Sequence, residues 1–216
     1  MKLTTKPAVL LTTMILGCIL SLAGCATTGT QQSTKASTTM EAVVTDIKQA
    51  VTQIDVTAAA LQDLVKPGQV DVKKAFEKYS EAVGKMDDLG RKLSGHADKM
   101  SAQGKEYFEE WQKQGNAYVN PQIQTLSEQR RADLSAVYVQ ISEASVGVKG
   151  AFRTYMSDIK EIQTYLSNDL RPKGVEAITP VAQKAISDGE NLKQAASPIL
   201  SALDRTRAEL APGGTK

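Results

Sequence analysis

Residues 71–116, DVKKAFEKYSEAVGKMDDLGRKLSGHADKMSAQGKEYFEEWQKQGN, decide the fold. Apolar or small residues recur there at alternating spacings of three and four: Phe76, Tyr79, Val83, Met86, Gly90, Leu93, Ala97, Met100, Gly104, Tyr107 and Trp111. A seven-residue repeat held this long is the pattern of a helix packed lengthwise on other helices with left-handed supercoil. Asp71 is placed to cap it.

Three further ladders flank it. Upstream, Met40, Val44, Ile47, Val51, Ile54, Ala58, Leu61 and Val65 keep the same register and stop at Pro67-Gly68. Downstream, Asn120-Pro121 supplies a cap followed by a proline at the first helical position. The third ladder reads Ile123, Leu126, Leu134, Val137, Ile141, Ala144, Val148, Ala151 and Tyr155, with a shift to Phe152, Ile159, Ile162, Leu166 and Leu170. Pro172 and Gly174 end that helix, and the last ladder holds Ala185, Gly189, Leu192, Ala196, Ile199, Leu203 and Leu210. Pro198 lies inside it and predicts a kink.

The expected fold is therefore all-α: an elongated antiparallel up-down-up-down helical bundle, or coiled coil, with a long central helical hairpin. The pattern predicts helices over about 38–65, 71–116, 121–170 and 174–210, then a disordered tail at 211–216. At 1.5 Å per residue the first helix covers only about 40 Å from the 66–70 turn, while the second continues to about 70 Å. The hairpin tip at 108–125 is thus expected to project past the start of the first helix. It carries Phe108, Trp111 and Tyr118, which are candidates for contact with membrane or a partner because amphipathic aromatics favour bilayer interfaces. Tyr107 and Trp111 also hold ladder positions, the alternative reading for that pair. Alternate rungs of the second ladder are small, and Gly90, Ala97 and Gly104 predict close approach of a neighbouring helix, since interaxial distance follows side-chain size.

The N-terminus reads differently. Lys2 and Lys6 precede an apolar run from Ala8 to Leu22, with small residues before a cysteine, the anatomy of a secretory signal. That run is too short for the roughly 20 residues needed to span a bilayer. Leu22-Ala23-Gly24-Cys25 resembles the lipobox of bacterial lipoproteins. The resemblance implies cleavage between Gly24 and Cys25, removing residues 1–24, and covalent diacylglyceryl and N-acyl lipid on Cys25. Two or three acyl chains anchor essentially permanently. Ala26, where an Asp would favour inner-membrane retention, implies the inner leaflet of the outer membrane, with the domain in the periplasm. Residues 25–37, CATTGTQQSTKAS, show no hydrophobic period and predict a flexible tether reaching about 20 Å.

Charge excludes one large class of partner. Of 26 Lys and Arg, Lys2 and Lys6 lie in the signal, leaving 24 against 24 Asp and Glu, interspersed. Such a balance gives no footprint for nucleic acid. Cys18 leaves with the signal and Cys25 is consumed by lipid, so no thiol chemistry is expected. His96 is the only histidine, and is read as a flank residue that forms no metal cluster. Asp87-Asp88 and Glu109-Glu110 are adjacent in sequence and point apart on a helix. No phosphate-binding glycine loop or nucleophile elbow is present. The expectation is no enzyme, no metal and no cofactor beyond the covalent lipid.

Trp111, Tyr118, Asn120, Phe152, Tyr155, Tyr165-Leu166, Leu170, Gly174-Val175 and Ile178 resemble the spacing in a family of uncharacterised bacterial coiled-coil lipoproteins. The likeness covers roughly residues 40–205 and implies the lipoprotein bundle, with no catalytic residues to carry over; of that family's arginine-rich third helix only Arg130-Arg131 is echoed. Three functions follow as expectations. The first is a non-enzymatic envelope scaffold or interaction module, with an unidentified envelope protein or a second copy as partner. The second is a bundle that takes an apolar ligand or partner helix along the Gly90, Ala97, Gly104 column. The weakest is attachment to the cell wall through Lys216. A column closed by the protein's own helices favours the scaffold, and an open groove favours the ligand.

Overall fold

The computed structural model describes residues 29–211. Four helices account for nearly all of them: α1 Gly29–Val65, α2 Val72–Gly115, α3 Pro121–Asn168 and α4 Pro172–Leu210. The sequence signals at their joints act as expected. Pro67 and Gly68 occupy the centre of a turn closed by Gln69 N donating to the Lys66 carbonyl at 3.3 Å, and Gly68 takes φ +73°, which glycine adopts without strain. The Asp71 carboxylate accepts from Lys74 N at 3.0 Å and caps α2. The Asn120 side chain accepts from Gln122 N at 2.9 Å, with Pro121 at the first position of α3. Each cap satisfies a backbone donor that the helix cannot satisfy internally. Both prolines inside α4, Pro180 and Pro198, stand at exposed positions, and the helix runs through them.

Helices adjacent in sequence are adjacent in space, α4 closes the ring against α1, and the backbones of the diagonal pairs do not come close among the described residues. Rising residue numbers on one helix meet falling numbers on its neighbour. Gln53 pairs with Ala82 and Gln32 with Glu106 across α1–α2; Tyr79 pairs with Ile159 and Trp111 with Ser127 across α2–α3. Asp55–Lys193 and Lys48–Asp204 do the same across α1–α4. This is the antiparallel up-down-up-down order that short turns impose.

Two expectations about the helices are corrected. Residues 29–37 are not tether but the first turns of α1. Ala36 is fully buried there, and Gln32 Nε2 reaches Glu106 Oε1 at 3.5 Å. The polar ladder members Gln32 and Thr39 hid the continuation, because they bury polar side chains that bond to other groups: Thr39 Oγ1 donates to the Ala36 carbonyl at 2.9 Å. α1 is thus 37 residues, about 55 Å, and begins beside Gln114. The α2–α3 hairpin still projects past the described start of α1, but by less than expected, α2 being 44 residues, about 66 Å; it outreaches α4 further, whose Glu209 pairs with Arg130, nine residues into α3. The rest of the predicted tether (25–28), Gly24, Cys25 and Lys216 lie outside the described residues, as does the predicted tail beyond Ala211.

The third ladder is corrected in phase. The inward column of α3 is Arg131, Leu134, Tyr138, Ile141, Ser145, Val148, Phe152, Tyr155, Ile159, Ile162 and Leu166, an unbroken three-four alternation. Val137, Ala144 and Ala151 face out, as do Ile123 and Leu126. Apolar residues one position away from Tyr138 and Ser145 gave an equally regular but outward sequence pattern.

The interior divides into two apolar clusters. One, towards the 66–71 turn, centres on Leu61, Leu64, Tyr79, Met86, Ile159 and Leu166. The other, towards the α2–α3 turn, centres on Met40, Val43, Met100, Tyr107, Tyr138 and Leu203. Between them α2 buries nothing fully from Asp87 to Lys99. This waist holds the candidate site.

Candidate functional site

Gly90, Ala97 and Gly104 lie on the face of α2 that meets α3. Close helix approach is not what they permit, for α2 and α3 are the least intimately packed of the four neighbouring pairs. Two of these small residues instead form notches for rings. A Cβ on Gly90 would stand 2.6 Å from Phe152 Cε1, and one on Gly104 would stand 2.1 Å from Tyr138 Cζ. The Tyr138 hydroxyl donates to the Met100 carbonyl, seating the ring in its notch. Burial pushes that phenol up to about 12.

Ala97, midway between the two rings, faces open space. A cavity of about 240 Å³ occupies the waist. Ile47 and Val51 of α1, Leu93 and Ala97 of α2, Val148 and Phe152 of α3, and Ala196 and Ile199 of α4 supply its apolar walls. Ser94, Ser101 and Ser145 add hydroxyls, and an ion pair of 3.8 Å between Lys149 Nζ and Asp98 Oδ1 links α2 to α3 beside it. Both ends of that pair are largely exposed, so it holds the helices weakly. The α3 wall is itself soft. Gly147 and Gly150 are exposed, with nothing within 4 Å of where a methyl group would stand, and each weakens a helix by about 1 kcal/mol relative to alanine.

The aromatic tip residues separate. Phe108 and Trp111 are half-buried, packed around Tyr107 at ring distances of 5.0 and 5.5 Å. Phe108 also meets Tyr138 edge-on at 5.6 Å, and Trp111 Nε1 donates to Ser127 Oγ at 2.9 Å. These two pack against the cluster towards the α2–α3 turn, and only Tyr118 of the three is exposed.

One polar cluster escaped sequence reading. Asp46, on α1, is 1% exposed, and its Oδ2 lies 2.5 Å from His96 Nδ1. Its Oδ1 lies 3.0 Å from Lys92 Nζ without hydrogen-bond geometry. His96 is therefore no idle flank residue: with Lys92, one turn earlier on the same face of α2, it compensates a buried carboxylate. The spacing of two potential cations at i and i+4 was the available signal. A buried charge deprived of such partners is costly, which makes the cluster a device for fixing α1 against α2.

Among the described residues no set of His, Cys, Asp and Glu is arranged to hold a metal ion, and no helix is long and apolar enough to cross a membrane. No family model, curated protein or solved structure matches this chain.

Proposed function

We propose that the chain is a non-enzymatic bacterial envelope lipoprotein, anchored through Cys25 to the periplasmic face of the outer membrane, whose bundle binds a small apolar ligand in the waist cavity. The observation that carries the ligand reading is the void at Ala97. At about 240 Å³ it is half-open to solvent and walled mainly by apolar side chains, a surface that a small apolar ligand would cover. An apolar cavity of about 150 Å³ already takes up benzene. The soft α3 wall and the weak Asp98–Lys149 link supply an entry route that needs no rupture of either core. The lipobox resemblance supports the anchor, and the resemblance to coiled-coil lipoproteins agrees with both.

Filling the cavity tests the proposal. In the mature chain carrying Cys25→Ser, free of detergent, 1-N-phenylnaphthylamine is expected to bind saturably with enhanced emission. Ala97→Leu adds three carbons to the cavity wall. It is expected to abolish dye binding and raise unfolding stability by about 2 kcal/mol, at roughly 0.8 kcal/mol per buried methylene. Dye titration and urea denaturation measure the two effects. Unchanged dye binding in the leucine variant would exclude the site.

A further inference from the structure

The two ends of the bundle differ in kind. At the end formed by the α1–α2 and α3–α4 turns, Asp63, Lys66, Asp71, Lys73, Lys74, Asp169, Arg171 and Lys173 crowd together in sequence around the joints. At the other end, residues 114–127, QGNAYVNPQIQTLS, carry no charge, and neither do residues 29–34, GTQQST. Gly29 stands beside Gln114, so these two uncharged segments share one face. On α3 the first charge is Glu128, about 10 Å back from Pro121 along the helix; on α1 it is Lys35, about 9 Å from Gly29. α4 contributes nothing nearer, because Glu209 pairs with Arg130. Lys113 is the nearest cation, mostly exposed, its Nζ 3.7 Å from Glu110.

That uncharged end also exposes apolar side chains. Val119 is 96% exposed, Leu126 66%, Ile123 48% and Tyr118 43%. Three aliphatics and a tyrosine within about 10 Å of a helix end match the depth at which interfacial segments enter the headgroup and acyl boundary. We infer that the α2–α3 tip, through Tyr118, Val119, Ile123 and Leu126, is a lipid-contacting surface that rests in the membrane interface. The chain outside the structure argues for lipid as the occupant. Four residue steps separate Cys25 from Gly29, a reach of at most about 14 Å, so an acyl anchor on Cys25 holds this end against the bilayer. The inference rests on the reading that Cys25 is acylated.

Val119→Cys tests it in the lipidated full chain, where the Cys25 sulfur is blocked and residue 119 is the single reactive thiol. The label is nitrobenzoxadiazole, and the vesicles are phosphatidylethanolamine and phosphatidylglycerol at 3:1. Val70→Cys, 97% exposed at the opposite end, is the control. The expected result is a blue shift at position 119 and quenching by brominated acyl chains, with neither at position 70. Flotation with the vesicles reads the anchor separately. A protein that floats while its 119 probe stays water-like overturns the tip inference and leaves the anchor standing; a protein that does not float overturns both. A 119 shift that depends on protein density and escapes bromine quenching assigns the surface to a second copy, which also overturns lipid contact.

Discussion

Between pH 10 and 12 the bundle is expected to lose stability steeply, by up to about 4 kcal/mol per pH unit. Tyr79, Tyr138 and Tyr155 are 0%, 7% and 2% exposed, and burial raises the phenol of each. For Tyr155 the Asp55 carboxylate adds to the effect, and for Tyr79 the neighbouring Tyr155 does. A folded value above the unfolded one, near 10, means the unfolded chain releases these protons first. The stability such a group contributes is complete below pH 10 and falls as pH rises towards the folded value, at about 1.4 kcal/mol per unit for each phenol. Tyr138 stops contributing to the slope near pH 12. Urea denaturation at a series of pH values measures the slope. Replacing all three by phenylalanine is expected to flatten it while lowering stability at neutral pH, since Tyr79 gives up a 2.7 Å bond to the Ile159 carbonyl and Tyr138 its bond to the Met100 carbonyl. An equal slope in the triple variant would show that other groups govern alkaline unfolding.

Gly104→Ala is expected to destabilise by about 1–3 kcal/mol, although alanine is the better helix former. Overpacking typically costs about 1–3 kcal/mol, and displacing Tyr138 forfeits a buried hydrogen bond of about 1 kcal/mol. Helix propensity returns about 1 kcal/mol. Gly84, on the same helix, is exposed with nothing within 4 Å of a methyl position, so Gly84→Ala is expected to stabilise by close to 1 kcal/mol. The same substitution thus takes opposite signs 20 residues apart on α2. A double variant with Tyr138→Leu should recover part of the Gly104→Ala loss. Simple additivity would show that the ring and the glycine do not interact.

The architecture was legible because the ladder of α2 is long, its caps are explicit and its turns contain the residues that turns require. Three failures have a shared origin. Gln32 and Thr39 in α1, Ser145 in α3 and Asp46 beneath His96 are polar residues at inward positions, and hydrophobic periodicity cannot register a polar residue whose bond is made either within its own helix turn, as for Thr39 and Ser145, or to another helix, as for Gln32 and Asp46. The small column of α2 was visible, but not its use. Gly90 and Gly104 admit rings because α3 offers Phe152 and Tyr138 at matching heights, while Ala97 faces Ser145 and Val148, which are too small to fill the space. A void is a mismatch between helices, so no single ladder reveals it. The uncharged tip, by contrast, is plain in the sequence once α1 is known to begin at Gly29.

The division of the interior at the waist has a consequence for how the molecule comes apart. Each apolar cluster draws on all four helices, so each half has its own tertiary support, and only Val148 packs against both. Cooperativity should therefore break at the waist, giving two units that open with separate free energies. Amide hydrogen exchange is expected to show residues 143–151 of α3 exchanging fastest within any helix, with two more protected blocks on either side. Ligand in the cavity should join those blocks into a single exchange unit. On the proposed ligand reading, occupancy would register as a change in the stiffness of the whole rod.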